Sequence, residues 1–190
     1  VETCPHYLFL DDRSPAGVLA KVNPPVRPRA DVEAMWEGIA DGSIDTVGTD
    51  HVPRKRSTKA GKGIWASSNG FPGVATMLPI LLDEGVRKRG IAPSRIAEVL
   101  SANAARIYRM AGKGALAVGY DADLAVVDPG LTRTVDPATL ESFADYSPYE
   151  GMSLTGWPVA TYLRGRCIMR DGAVLVDARD TPRGRYLFRQ

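Results

Sequence analysis

The sequence changes its pattern near Gly112, and this change limits the folds open to the chain. Before it, short apolar stretches alternate with helix-like segments, which is typical of α/β proteins. After it, the segments 115–130 and 157–177 are rich in β-forming residues and are separated by turn residues. We therefore predict an α/β portion over residues 1–112, followed by a small all-β portion with a carboxyl-terminal tail over residues 113–190.

Apolar spacing places the helices of the first portion. The stretch before Gly42 has the i, i+3, i+4, i+7 spacing of a one-faced helix, carried by Val32, Met35, Trp36 and Ile39. Gly42 is a typical helix end. Residues 73–89 predict a mostly buried helix, provided that Pro79 opens a second helical piece. Pro93 suits the first turn of a third helix, which we expect to run to Met110.

Strands are predicted from four short segments. The opening residues 1–10 are strand-like, and residues 44–50 form a second short apolar run. In the all-β portion, Asp171-Gly172 is a strong signal for a tight hairpin turn between residues 167–170 and 173–176.

The second strand ends in two polar side chains, Asp50 and His51. Side chains at the carboxyl ends of strands gather into sites in α/β proteins, because the loops from several strands meet there. An aspartate before a turn is also a common cap, so the local sequence leaves both interpretations open.

A long loop follows over residues 51–73. Long loops without regular structure often line active sites, whereas the basic stretch 54–63 is more typical of a disordered surface loop. The stretch 67–73 differs, since two glycines and a proline surround Asn69 and Phe71 and favour a shaped backbone.

Composition excludes several classes of function. The formal net charge is +2 with acids and bases mixed, and the one basic run has no accompanying aromatic platform, so we expect no nucleic-acid partner. No apolar run is long enough for a membrane helix and no leader is visible, so a cytoplasmic setting is the default.

Cys4 and Cys167 lie far apart and are predicted to be reduced and buried. The two histidines, His6 and His51, are too few for a histidine-rich metal site.

Seven segments, taken in order, resemble one known family. They are ETCPHYL (2–8), KVNPPVR (21–27), DGSIDTVGTDHVP (41–53), NGFPGVATMLPILL (69–82), LSANAARIY (100–108), GYDADLAVVDP (119–129) and YSPYEGMSLTGWPV (146–159). The set is similar to the carboxyl-terminal part of the cyclic amidohydrolases, a group that includes dihydroorotase, dihydropyrimidinase or hydantoinase, and allantoinase. KVNPPVR is more similar to dihydroorotase, whereas the segments around residues 35–51 are more similar to the hydantoinase-like and allantoinase-like members.

The resemblance implies the carboxyl-terminal part of a (β/α)8 TIM-type barrel, followed by part of a β-sandwich. Asp50 matches the metal-ligating aspartate at the end of the eighth barrel strand. In such enzymes this carboxylate holds a metal that lowers the pKa of the attacking water, and it passes the proton to the leaving nitrogen. Asp50 is therefore the predicted catalytic residue and metal ligand, for one or two divalent ions, with zinc expected.

Three further residues are predicted to contact the substrate. Asn23 resembles an asparagine that hydrogen-bonds the ring, and Asn69 resembles a loop segment that contacts the cyclic amide through its backbone. His51 takes either a substrate-contacting or a structural role. His6 is predicted to be structural or to support the site, because the ligand histidine of the family lies upstream of ETCPHYL.

The HxH pair, the carboxylated lysine and two further histidines of the family are missing from these residues. Together with a start at Val1 rather than methionine, this predicts a fragment of a longer polypeptide or a chain completed by a companion segment. The predicted activity of the complete protein is hydrolysis of a cyclic amide or ureide. The alternatives are a non-catalytic scaffold of the same fold and an inactive truncated fragment. By resemblance, homo-oligomerisation is expected.

Overall fold

A βαβ unit opens the chain. The computed structural model describes residues 1–59, 63–177 and 186–187. In it, strand β1 (Glu2–Thr3) and strand β2 (Thr46–Val47) pair in parallel, and helix α1 (Arg29–Asp41) lies between them in the chain. A connection of this length that contains a helix is the usual way to join parallel neighbours.

The predicted opening strand is wrong beyond Thr3. A 3-10 helix occupies Pro5–Leu8, and a second spans Gly17–Ala20. Pro5 lacks an N–H for a strand ladder and suits the first turn of a helix, where that donor is not needed. The amide of Tyr7 donates to the carbonyl of Cys4 at 3.0 Å, which closes the turn.

Helix α1 follows its sequence pattern closely. Val32, Trp36 and Ile39 are buried, and the helix stops at Gly42, whose φ of 92° is in the left-handed region that favours glycine. The indole N–H of Trp36 donates to the carbonyl of Leu8 at 2.7 Å. This bond ties the helix to the segment that follows β1.

Two further helical stretches change geometry along their length. Helix α3 (Val74–Ile80) contains Pro79 and continues as a π-helix over Leu81–Lys88. Helix α4 (Pro93–Ala97) continues as a π-helix over Glu98–Ala102 and then as α5 (Asn103–Ile107). Both predicted helices are confirmed, but Pro79 lies inside α3 and does not open a second helical piece as expected. None of the helices among the described residues is long and apolar enough to cross a bilayer.

The second portion forms an antiparallel sheet. Its four strands are β3 (Leu124–Thr134), β4 (Ser153–Leu163), β5 (Arg166–Arg170) and β6 (Ala173–Val174), paired in that order. Asp171 and Gly172 both have positive φ, which confirms the predicted two-residue hairpin. A 3-10 helix at Pro137–Thr139 lies between β3 and β4. The second layer of the predicted sandwich is not among the described residues and stays a prediction. Residues 178–185 and 188–190 of the predicted tail lie outside the described residues.

Buried apolar side chains form two clusters. One surrounds β2 and contains Leu8, Val32, Trp36, Ile39, Ile44, Val47, Leu81, Ile96 and Val99. The other draws side chains from both sides of residue 112: Leu10, Ala20, Val22, Phe71, Ile80, Val135, Ala144, Tyr146, Tyr149, Leu154 and Trp157. The sheet and the α/β elements therefore both contribute to this second cluster.

The basic loop departs from its prediction. A 3-10 helix spans Arg56–Thr58, a short helix α2 spans Gly63–Ala66, and the side chain of Lys59 between them is fully buried. A disordered surface loop is therefore the wrong interpretation for residues 54–59, because their contacts are made with distant segments. Residues 60–62 of the predicted loop lie outside the described residues.

Candidate active site

Asp50 lies at one edge of the βαβ unit. Parallel strands end at the same edge of a sheet. Cys4, which follows β1, and residues 48–50, which follow β2, therefore lie at the same edge. The amide of Gly48 donates to the carbonyl of Thr3 at 2.9 Å, which extends the contact between the two segments. Asp50 is exposed and has a φ of 45°, a left-handed conformation that aspartate and asparagine tolerate better than most residues. Its carboxylate is thus presented beyond the strand end.

Two acidic side chains near Asp50 are held in their neutral forms. Burial, with the negative charges of Asp50 and Glu2, raises the pKa of the Cys4 thiol to about 11. Burial, with Cys4 and Asp50, raises the pKa of Tyr7 to about 12. At neutral pH, Asp50 therefore lies beside an uncharged thiol and an uncharged phenol. Both cysteines are free and half-buried, so the reduced state is as predicted and the burial is only partial.

The imidazole of His51 holds the start of helix α3. Its Nδ1 accepts from the amide of Gly73 at 3.1 Å and from the amide of Val74 at 3.3 Å. The first amides of a helix have no partner within the helix, so His51 satisfies two of them. Because Nδ1 is occupied as an acceptor, a contact between this ring and a substrate would use Nε2. The substrate-binding role of His51 stays a prediction.

The loop that carries Asn69 lies along the segment after β2. Residues His51 and Phe71 form a parallel β-bridge, and the amide of Val52 donates to the carbonyl of Phe71 at 3.0 Å. Asn69 is exposed, and its carbonyl accepts from Nε of Arg54 at 3.0 Å. The predicted loop backbone is therefore fixed next to the residues that follow Asp50.

Asn23 reaches the same neighbourhood through Tyr7. Asn23 is exposed, and the carbonyl of the next residue, Pro24, accepts from the hydroxyl of Tyr7 at 2.7 Å. The negative charge of Asp50 contributes to the raised pKa of Tyr7. The side chain that bonds the Asn23 segment therefore also lies within electrostatic range of the predicted catalytic residue. Their roles toward a substrate remain predictions.

His6 is a buried, neutral residue. Its ring lies against those of Tyr7 and Phe71, with centroids 4.1 and 5.1 Å apart, and burial lowers its pKa to about 4. Among the described residues, its Nε2 has no hydrogen-bond partner. The structure thus gives His6 a packing role between the segment after β1 and the Asn69 loop, in keeping with the structural alternative.

The exposed Asp50 carboxylate fits a divalent metal as a single ligand. Carboxylate oxygens are common ligands of zinc and of harder cations. Within residues 1–59, 63–177 and 186–187, no group of three or more histidine, cysteine, aspartate or glutamate side chains could hold an ion. The remaining ligands of such a site would come from outside this part of the chain.

Residues 8–168 match the model of the Amidohydrolase family. The chain belongs to the amidohydrolase family. This match covers most of the sequence and both portions of the fold. It confirms the family that the seven ordered segments indicated.

Individual members of the family give the extent of the match. An allantoinase from Rubrobacter xylanophilus is 43% identical over 188 residues, which are 98% of this chain and 40% of the relative. A dihydroorotase from Halobacterium salinarum is 41% identical over 170 residues, 88% of this chain and 39% of the relative. The L-hydantoinase (dihydropyrimidinase) structure from Arthrobacter aurescens superposes with a TM-score of 0.88 at 37% identity, over 93% of this chain and 40% of that one. The chain thus spans about two fifths of the length of these amidohydrolases, and its α/β fold fits part of a barrel.

Sequence reasoning missed the contacts of Tyr7, Lys21 and Lys59, whose side chains donate to the carbonyls of Pro24, Ser67 and Lys21, respectively. Pro5 could have indicated the helical turn that carries Tyr7, since proline suits the first turn of a helix. The two lysines gave no local signal, because a lysine in a polar stretch is usually solvated.

Gly70 offers a test of how tightly the Asn69 loop is held. Its φ is +82°, and a Cβ there would lie 2.7 Å from the Cβ of Val52. We expect Gly70→Ala to lower the free energy of unfolding of the complete protein by about 2–4 kcal/mol, through overpacking and left-handed strain. The matched control is Gly17→Ala. Gly17 has a φ of +53°, but no atom lies within 4 Å of a Cβ placed there. This substitution should lower the free energy of unfolding by about 1 kcal/mol. Equal losses in urea denaturation would contradict the close approach.

Proposed function

We propose that the complete protein hydrolyses a cyclic amide or ureide ring, with Asp50 as metal ligand and proton carrier. The observation that carries the proposal is the exposed carboxylate of Asp50 at the carboxyl edge of two parallel strands. This is the edge at which α/β enzymes assemble their sites. Membership of the amidohydrolase family supports the same reaction class.

The residues of this chain divide the work of ring opening. Asp50 accepts a proton from the attacking water and delivers it to the ring nitrogen as the carbon–nitrogen bond breaks. The uncharged Cys4 and Tyr7 beside it leave the carboxylate as the local base at neutral pH. A divalent metal held partly by Asp50, with zinc expected and one or two ions per site, would polarise the ring carbonyl and acidify the water.

Substrate contacts are assigned to the two loops beside this edge. The side-chain amide of Asn23 can both donate to and accept from a ring amide, and the backbone of Asn69 can do the same. A site that pairs these groups selects for a ring with alternating carbonyl and N–H groups, because leaving them unpaired on binding is costly.

The substrate class covers dihydropyrimidines, hydantoins, dihydroorotate and allantoin. The chain is 43% identical to the allantoinase and 41% identical to the dihydroorotase, and this small difference does not decide between their substrates. A panel of hydantoin, dihydrouracil, dihydroorotate and allantoin, assayed with the complete protein, tests the proposal. Ring opening of at least one member is expected, and turnover of none would favour a non-catalytic scaffold instead.

Completion of the site requires further polypeptide. The remaining barrel strands and metal ligands are proposed to come from the rest of a longer chain or from a companion segment, and homo-oligomers are expected. The second layer of the β-sandwich would come from the same source.

Metal removal gives a direct prediction. Dialysis of the complete protein against a chelator should lower kcat/KM by about a thousandfold, since the metal contributes several kcal/mol to charge stabilisation. Zinc should restore the rate, and a sample dialysed without chelator should keep it. Full turnover by protein with no metal, verified by elemental analysis, would contradict a metal-dependent mechanism.

A further inference from the structure

Lys59 is a fully buried lysine in the loop beside the candidate site. Its Nζ donates to the carbonyl of Lys21 at 2.8 Å and lies 5.5 Å from the centroid of the Phe71 ring. Lysine is among the residues least often buried, because its ammonium loses its hydration there. Its burial here therefore calls for a reason beyond loop solubility.

Lys21 returns the interaction from the other side. Its Nζ donates to the carbonyl of Ser67 at 2.6 Å, and the hydroxyl of Ser67, which has one proton to donate, lies 2.6 Å from the carbonyl of Lys59 and 2.7 Å from that of Gly63. We call these contacts among Lys21, Lys59 and Ser67 the lysine lock. Lys59 fixes the backbone of Lys21, and Lys21 fixes the backbone of Ser67.

The lock joins the two segments that carry the predicted substrate contacts. Lys21 is two residues before Asn23, and Ser67 is two residues before Asn69. The carbonyl of Lys21 also accepts from the amide of Gly70 at 3.0 Å. One carbonyl of the first segment therefore receives bonds from both the basic loop and the Asn69 loop.

The electrostatic cost of the lock suggests that it serves more than stability. Burial, with the positive charges of Arg54 and Lys21, lowers the pKa of Lys59 to about 8. Within the described part of the chain, no carboxylate offsets these charges at Lys59. A methionine of similar length would fill the same space without that cost.

We propose that the lysine lock is a positioning device that sets the distance between Asn23 and the Asn69 loop and thereby controls substrate affinity. The inference rests on the proposed function, since it assigns a purpose to the same loops. Lys59 touches no reacting atom in this account and acts through the two backbones that it joins.

Kinetics of the complete protein provide the first test. Lys59→Met and Lys21→Met should each raise KM about tenfold and change kcat less than about twofold, because the lock positions the substrate and leaves Asp50 in place. The double variant should cost little more than either single one, since both substitutions remove contacts of the same lock. Ser67→Ala supplies a milder third variant if a lysine variant fails to fold.

Lys55→Met is the matched control. It removes a lysine from the same loop, but its Nζ lies 4.5 Å from the centroid of the Phe143 ring and makes no part of the lock. KM should stay within about twofold of wild type. A tenfold rise in KM for this variant would attribute the effect to loop charge and overturn the lock.

Hydrogen exchange tests the lock independently of catalysis. The amide of Gly70 should exchange about tenfold faster in Lys59→Met than in wild type, because its acceptor carbonyl is then less firmly held. Unchanged exchange would overturn the lock, whatever the activity. If the wild-type protein opens no ring but exchange accelerates as expected, the proposed function and the control of affinity fail, and the lock stands as a device that spaces the two loops.

Discussion

Replacement of Asp50 by asparagine is expected to lower kcat/KM of the complete protein by at least about a thousandfold while its fold is retained. General acid–base catalysis contributes 10²–10⁴-fold in typical enzymes, and loss of a metal ligand adds to this. Asparagine is the sharpest substitution, because Asp50 has a φ of 45° and asparagine tolerates that conformation. Alanine would add backbone strain to the loss of charge.

The matched control for this prediction is Asp12→Asn. Asp12 is an exposed aspartate outside the candidate site, so its neutralisation should leave kcat/KM within about twofold. Metal content should fall in Asp50→Asn and stay constant in the control. Retention of more than a tenth of the activity by Asp50→Asn would remove Asp50 from the mechanism.

Asp83 is expected to contribute strongly to the stability of the fold. Its side chain is 0% exposed, and it accepts from Nε of Arg87 at 2.7 Å and from the amide of Thr155 at 3.2 Å, with Nζ of Lys88 at 2.7 Å. These contacts join the helix after α3 to strand β4. We expect Asp83→Ala to lower the free energy of unfolding of the complete protein by about 2–3 kcal/mol, because it leaves the part-buried amide of Thr155 and the guanidinium of Arg87 without their acceptor and Lys88 with Glu84 alone.

Acid titration gives the same prediction a second readout. Burial alone would raise the pKa of Asp83, but the hydrogen bond from Arg87 and the nearby ammonium of Lys88 outweigh it and hold the pKa below its usual range. A depressed carboxyl pKa stabilises the fold above the unfolded-state pKa, and that stability is lost as the pH falls through the folded-state value. Wild type should therefore lose stability below about pH 4, more steeply than Asp83→Asn.

An exposed ion pair serves as the comparison. Asp31 lies 3.4 Å from Nε of Arg27, and both side chains are more than half exposed. Asp31→Ala should cost less than about 0.5 kcal/mol. A similar loss for Asp83→Ala in urea denaturation would mean that the link between helix and sheet contributes little.

Local chemistry explains which parts of the fold the sequence could predict. The end of helix α1 at Gly42 and the Asp171-Gly172 turn follow from the backbone freedom of single residues. The turn at Arg164-Gly165 has positive φ at both positions as well, but arginine is not a residue that marks such a turn in a sequence. The family could be recognised because its segments occur in order along the chain, and no three-dimensional contact was needed.

The rest depended on contacts between distant residues. His51 satisfies amides 22 and 23 residues further along, and Lys59 donates to a carbonyl 38 residues earlier. Neither partner is visible in the neighbouring sequence, so a histidine at a strand end and a lysine in a basic run gave no sign of these bonds. Asp50 could be proposed as a site residue because its position shortly after a strand-like apolar run is itself a local feature, and its role stays a prediction.

The shared core limits how this protein could be recombined. A chimera that exchanged the β-rich portion at residue 112 would separate Val135, Tyr149 and Leu154 from Phe71 and Ile80, with which they form one cluster. Each half would then expose apolar surface shaped for a partner it no longer has. Exchange between family members would therefore need the helix at Val74–Ile80 and the strand at Ser153–Leu163 to be transferred together.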